Sequence, residues 1–356
     1  MTRTAPGPAR PDPAAPRQPA AQPGGAQRRA TPAPAARPSK RRRRLVAGAA
    51  AAALIGLLGA IIILATEPAG HPRPRSQAAG GGPSATACGT GSLQLIGSTA
   101  FMPIAQDVAD AYMHDCPGAT IAVTGGDSAY GVTTVRDAVK KRNASAGSMI
   151  AMYDGIPLAS YTTGLRPYPV GALIYSVVAH GGLFPASSIT TGTLRGIFVR
   201  PGEQGVVAVG RRSGSGTRLT FDTKVLARNP GTPAKGNCPP PARSAFSFTS
   251  CTEDSTADLL GFVNGTPNAI GYAQVPLPLT GYPQVSVLNI DGFAPTAANV
   301  RNGSYRFWTV EHLYAAMQPT TLAKDFLDFL SHHIESNQSP DFIACSDALK
   351  RVGADC

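Results

Sequence analysis

SLQLIGSTAFMPIAQDVADAYMHDCPGATIAVTGGDSAYG, residues 92–131, is the stretch that decides the fold. SLQLIGS alternates as a strand, and Pro103 then opens a helix with Ile104, Val108 and Ala111/Tyr112 on one face. CPG at 116–118 stops that helix. TIAVTGG reads as a second strand, residues 128–142 as a second helix and SMIAMY as a third strand. Parallel neighbours need a crossover long enough to hold a helix, so this alternation predicts an α/β module with a mainly parallel sheet.

Further along, PVGALIYSVVAH (169–180) is too rich in β-formers for a helix and predicts a long strand. SSITTGTLRGIF predicts a short helix, VVAVGRR (206–212) a strand, and SGSGTRLTFDTKVLA the start of another helix. WTVEHLYAAM and TLAKDFLDFLSHHI carry apolar residues at helical spacing and are both expected to be helices. The roughly 265 residues of this region exceed what one small core holds, which points to two lobes.

Before the module the texture changes. Residues 45–65, LVAGAAAAALIGLLGAIIILA, form an uncharged apolar run long enough to cross a hydrocarbon core of ~30 Å. Lys40 and Arg41–Arg44 stand directly before it and place that flank in the cytoplasm. The run is longer than a cleaved signal core of about 7–15 residues, so a single-pass signal anchor is expected in the cell membrane. Gly48, Ala52, Gly56 and Ala60 would line one close-packing face of that span, a pattern that an alanine-rich helix also produces by chance. Residues 1–44, dense in Pro, Ala, Arg and Gly, read as a disordered cytoplasmic tail. Residues 66–90 read as a Pro/Gly-rich extracytoplasmic linker.

The formal charge of +11 divides unevenly along the chain. The tail carries eleven Lys/Arg against Asp12, and the rest carries 21 Lys/Arg against 20 acids. The module is therefore nearly neutral and offers no basis for nucleic-acid binding, which needs a basic patch on the folded part.

All six cysteines (Cys88, Cys116, Cys238, Cys251, Cys345, Cys356) follow the apolar run. An even count on the outer side predicts three disulfides, with fifteen pairings open to the sequence. Pairing of neighbours is the working hypothesis, because short loops close most readily. No Cys-x-x-Cys occurs and the six histidines are scattered, so no metal or cofactor is expected.

Three segments repeat one design of strand, small or hydroxyl residues, then helix start: GSTAF (97–101), GGDSAYG (125–131) and RRSGSGT (211–217). A helix N-terminus presents unpaired N–H groups and partial positive charge, and hydroxyls add donors, so each favours an anion. A Ser or Thr there is more often a simple N-cap. Three in one chain, one beside Arg211, favour the anion site.

In this order the segments resemble the phosphate-binding proteins that feed bacterial phosphate ABC transporters, a branch of the two-lobed periplasmic binding-protein superfamily. The resemblance spans roughly residues 91–335. It rests on GSTAFMPIAQDVADAY, CPGATIAVTGGDSAYG, ALIYSVV with LRGIF, Arg211-x-x-x-Ser215-Gly216-Thr217 with Phe221, NAIGYAQVP (268–276), and NGSYRFWTVEHLY (302–314) as return crossing and C-terminal helix. It implies a type II two-lobed module, lobe 1 as 91–168 and 276–356 and lobe 2 as 169–275, closing around inorganic phosphate and serving an ABC permease or an envelope signalling partner.

Carried over by position, the resemblance implies ligand donors at Ser98, Thr99, Phe101 and Ser128, a charge-assisted contact from Arg211, and a further face from Ser215, Gly216 and Thr217. Asp154 would set selectivity, because a carboxylate only accepts hydrogen bonds and so favours an anion that keeps a proton, as phosphate does and sulfate does not. The chain departs from the family at Asp127 (usually glycine), at Tyr153 (usually serine) and at the extra Arg212, which is placed to offset Asp127. No lipobox precedes Cys88. An enzyme is not expected: no Gly-x-Ser-x-Gly elbow or positioned histidine base is present.

Overall fold

The computed structural model describes residues 88–356, apart from 203–204, 229–235, 241–247, 276–278 and 338 and the side chains of 347 and 348. The tail, the apolar run and most of the linker lie outside the described residues. Among the described residues no helix is long and apolar enough to cross a membrane.

The opening stretch folds in its expected order: β1 (Gly91–Gly97), α1 (Met102–Asp115), β2 (Ala119–Gly125), α2 (Ser128–Lys140), β3 (Met149–Asp154). β1 lies between β2 and β3 and pairs parallel with both. Pro103 sits in the first turn of α1, where its missing N–H has no partner to lose. Ala105, Val108, Ala109 and Tyr112 of that helix are buried, and Tyr112 packs edge-on against Phe326 and Phe329.

PVGALIYSVVAH belongs to one 16-residue strand, β4 (Leu165–His180), which serves both halves of the sheet. The strands that follow are β5 (Ser188–Ile189), β6 (Val207–Arg211), β7 (Ser250–Glu253), β8 (Ala269–Gln274), β9 (Val285–Ile290), β10 (Trp308–Ala316) and β11 (Phe342–Ala344). β4 pairs with β10 and β11 along its first part and with β8 and β9 along its second. Hydrogen-bonded order runs β2-β1-β3-β10-β4-β8-β6-β7, a mixed sheet rather than a purely parallel one. The helices after β4 are α3 (Thr191–Val199), α4 (Gly216–Thr220), α5 (Thr256–Gly265), α6 (Ala297–Arg301), α7 (Thr321–Ser336) and α8 (Asp347–Arg351). A π-helical turn, Phe221–Val225, extends α4.

One element is corrected. WTVEHLYAAM is not a helix but β10, and within 302–314 the chain enters this strand; the C-terminal helix of that region is α7. All nine residues of β10 are buried, because β3 and β4 flank it and both faces are covered. A strand buried on both faces loses its two-residue alternation, and its apolar positions then imitate helical spacing.

The disulfides join Cys88 to Cys116, Cys238 to Cys251 and Cys345 to Cys356, the neighbour pairing.

Candidate functional site

β1, β2, β3 and β6 end at one place, and each delivers its chemistry at its C-terminal end, where open α/β sheets present ligand sites. Ser98 and Thr99 follow β1. Ser128 is the first residue of α2. Asp154 closes β3 and Arg211 closes β6. Ser215 caps α4 by accepting a hydrogen bond from the Arg218 amide, and Gly216 and Thr217 form the first turn. Ser98, Thr99, Phe101, Ser128, Asp154, Arg211, Ser215, Gly216 and Thr217 are all buried.

Six of these nine residues fall into two knots. In the first, Asp154 accepts hydrogen bonds from the hydroxyls of Ser128, of Thr217 (2.8 Å) and of Tyr175 (2.8 Å). The Gly216 amide donates to Ser128 Oγ at 3.3 Å. A Cβ on Gly216 would stand 1.9 Å from the Asp154 carbonyl oxygen, so only glycine lets α4 approach this closely. Burial and the neighbouring Asp154 hold the Tyr175 phenol protonated, well above its ordinary range.

In the second knot, the Arg211 guanidinium donates to Thr99 Oγ1 (2.9 Å), Thr256 Oγ1 (3.1 Å) and the Asp254 carbonyl (2.8 Å). Its Nε is buried with no partner, and the side chain is 2 % exposed. Every direct partner is neutral. Burial lowers the Arg211 pKa, and the nearby Asp154 charge partly opposes that. The arginine remains charged, since the guanidinium starts far above neutrality.

The Phe101 amide donates to Ser98 Oγ at 3.2 Å, and the Phe101 ring lies buried against Phe342. Asp127 is the N-cap of α2 and accepts from the Tyr130 amide. Arg212 does not pair with it. It binds Asp254 and reaches Asn237 (3.1 Å), while Asp127 abuts Gly214, whose φ of 107° suits glycine.

Sequence reasoning missed Thr256, Asp254 and Tyr175. Thr256 had a readable signal, since EDSTADLL repeats the strand–hydroxyl–helix design at the start of α5, with Ser255 and Asp258 bonded reciprocally. Tyr175 sits inside β4, a segment read only as a long strand.

The PBP superfamily domain matches residues 82–332. The phosphate-binding protein PstS of Bacillus subtilis is 31% identical over 248 residues, 68% of this chain and 75% of that protein. The chain belongs to the PstS-like branch of this superfamily. A crystal structure of a candidate phosphate ABC transporter substrate-binding protein from Clostridium perfringens, with phosphate bound, superposes with a TM-score of 0.57 at 22% identity. It covers 72% of this chain and 100% of its own, and supports the same fold. In this PstS-like chain Thr99, Ser128, Asp154, Arg211, Gly216 and Thr217 come together in the two knots.

Proposed function

We propose that this PstS-like protein is a membrane-tethered extracytoplasmic solute-binding protein that takes inorganic phosphate between its lobes, for ABC-type uptake. The observation that carries the reading is Arg211. A buried guanidinium whose hydrogen bonds all go to neutral acceptors is a charge that an anion would satisfy. Thr99 Oγ1 accepts from the guanidinium, and the hydroxyls of Ser128 and Thr217, at helix starts that favour negative charge, bond Asp154. The B. subtilis relative, named as a phosphate-binding protein, supports phosphate as the anion.

The physical basis for phosphate over sulfate is Asp154. An ionised carboxylate facing a proton-bearing anion receives a hydrogen bond, and facing a fully deprotonated one meets another acceptor. Ligand contacts from both lobes would shift the population toward a closed form that excludes water. Isothermal calorimetry on the protein should show phosphate binding that is not reproduced by sulfate. Absence of both heat and thermal stabilisation with phosphate would sink the reading.

A second reading keeps the site but makes the protein a sensor or an envelope interaction module. The basic tail favours it, because simple delivery requires no cytoplasmic segment. Permease and ATPase genes beside the coding sequence would favour transport instead.

A further inference from the structure

Directly across from Asp154, in the antiparallel register of β3 and β10, stands Glu311. Residues opposite each other in such a ladder project to the same face, with Cβ atoms about 5 Å apart. Glu311 is completely buried, and neither of its carboxyl oxygens makes a hydrogen bond of good geometry. On its other flank β4 contributes Gly171, where a Cβ would collide with the Phe342 ring and the Ile343 carbonyl of β11.

Two carboxylates cannot both be ionised at that spacing in a dry interior. Their surroundings decide which one keeps the proton. Asp154 receives three hydroxyl donors and lies in the field of Arg211. Glu311 receives none of these. The ionisable groups around it are Asp154 on β3, Tyr175 on β4 and Tyr314 on its own strand, none of them a cation. β11 places only Phe342, Ile343 and Ala344 there. Burial and the Asp154 charge push the Glu311 carboxyl well above the ordinary range, with the Tyr153 amide opposing in part.

We propose that Glu311 is a positioning residue of the anion site: it stands uncharged behind Asp154, leaving one carboxylate charge in the site, and its ionisation weakens anion binding. The proposal deepens the phosphate reading and rests on it for the binding experiment. At neutral pH the site then presents one arginine cation and one carboxylate acceptor. With Glu311 ionised it would present two negative charges to an incoming anion, and attraction would turn toward repulsion.

The test compares the wild-type protein with Glu311→Gln, which keeps the shape and removes the titration. Affinities for inorganic phosphate are measured from about pH 7 to about pH 10, and the ratio of the two proteins is read at each pH, so that titration of the ligand cancels. The ratio should be near one at neutrality and should fall, with the wild type losing about tenfold relative to the variant as Glu311 ionises. In parallel, infrared difference spectra of wild type against variant should show the carbonyl stretch of a protonated carboxyl at neutral pH. That band requires no ligand and decides the protonation state even if Glu311→Gln folds poorly for binding work.

Absence of the band, or a variant that binds phosphate about tenfold more tightly at neutral pH, would mean an ionised Glu311 and overturn the proposal. A band that is lost as the pH rises while the ratio stays at one would make Glu311 an inert core acid and overturn its role in binding. If the wild type itself binds no phosphate, the phosphate reading fails, while the band still reports whether Glu311 is neutral.

Discussion

At Arg211, desolvation and hydrogen bonding work against each other. The guanidinium has given up water, and two hydroxyls and a carbonyl return only part of that solvation. An anion in contact with it gains a charge-assisted bond that no neutral partner supplies. Arg211→Ala is therefore expected to cost phosphate about 3 kcal/mol, a hundredfold or more, read by calorimetry, with little change in melting temperature. Gly216→Ala should also abolish tight binding, because the added methyl displaces Asp154 from the helix start. For Glu311 the sign of the stability effect follows from linkage. Its native pKa lies above the value of 4.5 taken as unperturbed, so at low pH both states are protonated and no penalty exists. As pH rises past that value the unfolded chain ionises first and native stability falls. Glu311→Gln should match the wild type in acid and exceed it at neutral pH in denaturant titrations.

At the level of elements, what was legible in the sequence tracks how the elements are buried. β1, α1, β2 and α2 each keep one side less buried than the other, so their periods survive in GSLQLIG and in the Val108/Tyr112 stripe. β10 has no exposed side, and its Thr309, Glu311 and His312 are buried as fully as its apolar residues, which erased the strand signature. For the same reason Glu311 and Tyr175 went unread as site residues, whereas Ser128, Arg211 and Ser215–Thr217 were marked by the helix starts they occupy. The Cys238–Cys251 link shows how an element remote from the ligand bears on the site. It fastens 236–238 to β7 through the Cys238 amide to Thr252 carbonyl bond and its reciprocal from Thr252 to Gly236. β7 runs on to Asp254 and Thr256, two of the groups that hold Arg211. Closing a loop of this size contributes about 3 kcal/mol in the chain-entropy account. Replacing both cysteines by serine should lower the melting temperature and weaken phosphate severalfold; unchanged affinity would show that β7 holds its end without the link.

At the scale of the whole molecule, the charge of the chain is unevenly divided about its apolar run. The tail holds nearly all of the net charge, and the module after it is close to neutral. A near-neutral module gathers little anion by long-range attraction, so specificity has to come from buried groups such as Arg211 and Asp154 rather than from surface field. Phosphate affinity should therefore change little between low and moderate salt, whereas a site fed by a basic surface would weaken steeply. We propose a different role for the tail: five consecutive cations beside an apolar run would fix orientation and bind an acidic leaflet. Residues 45–65 lie outside the described residues, so their placement in a bilayer stands on the length and flanking charge of the sequence. The full chain should pellet with membranes and resist extraction by alkaline carbonate. A cysteine introduced at Ser39, on the cytoplasmic side, should escape an impermeant thiol reagent in intact cells, and one introduced at exposed Ser92 should react. Release into the soluble fraction at the mass of a chain cut after the apolar run would mean a cleaved leader, and the protein would then deliver its anion without a tether.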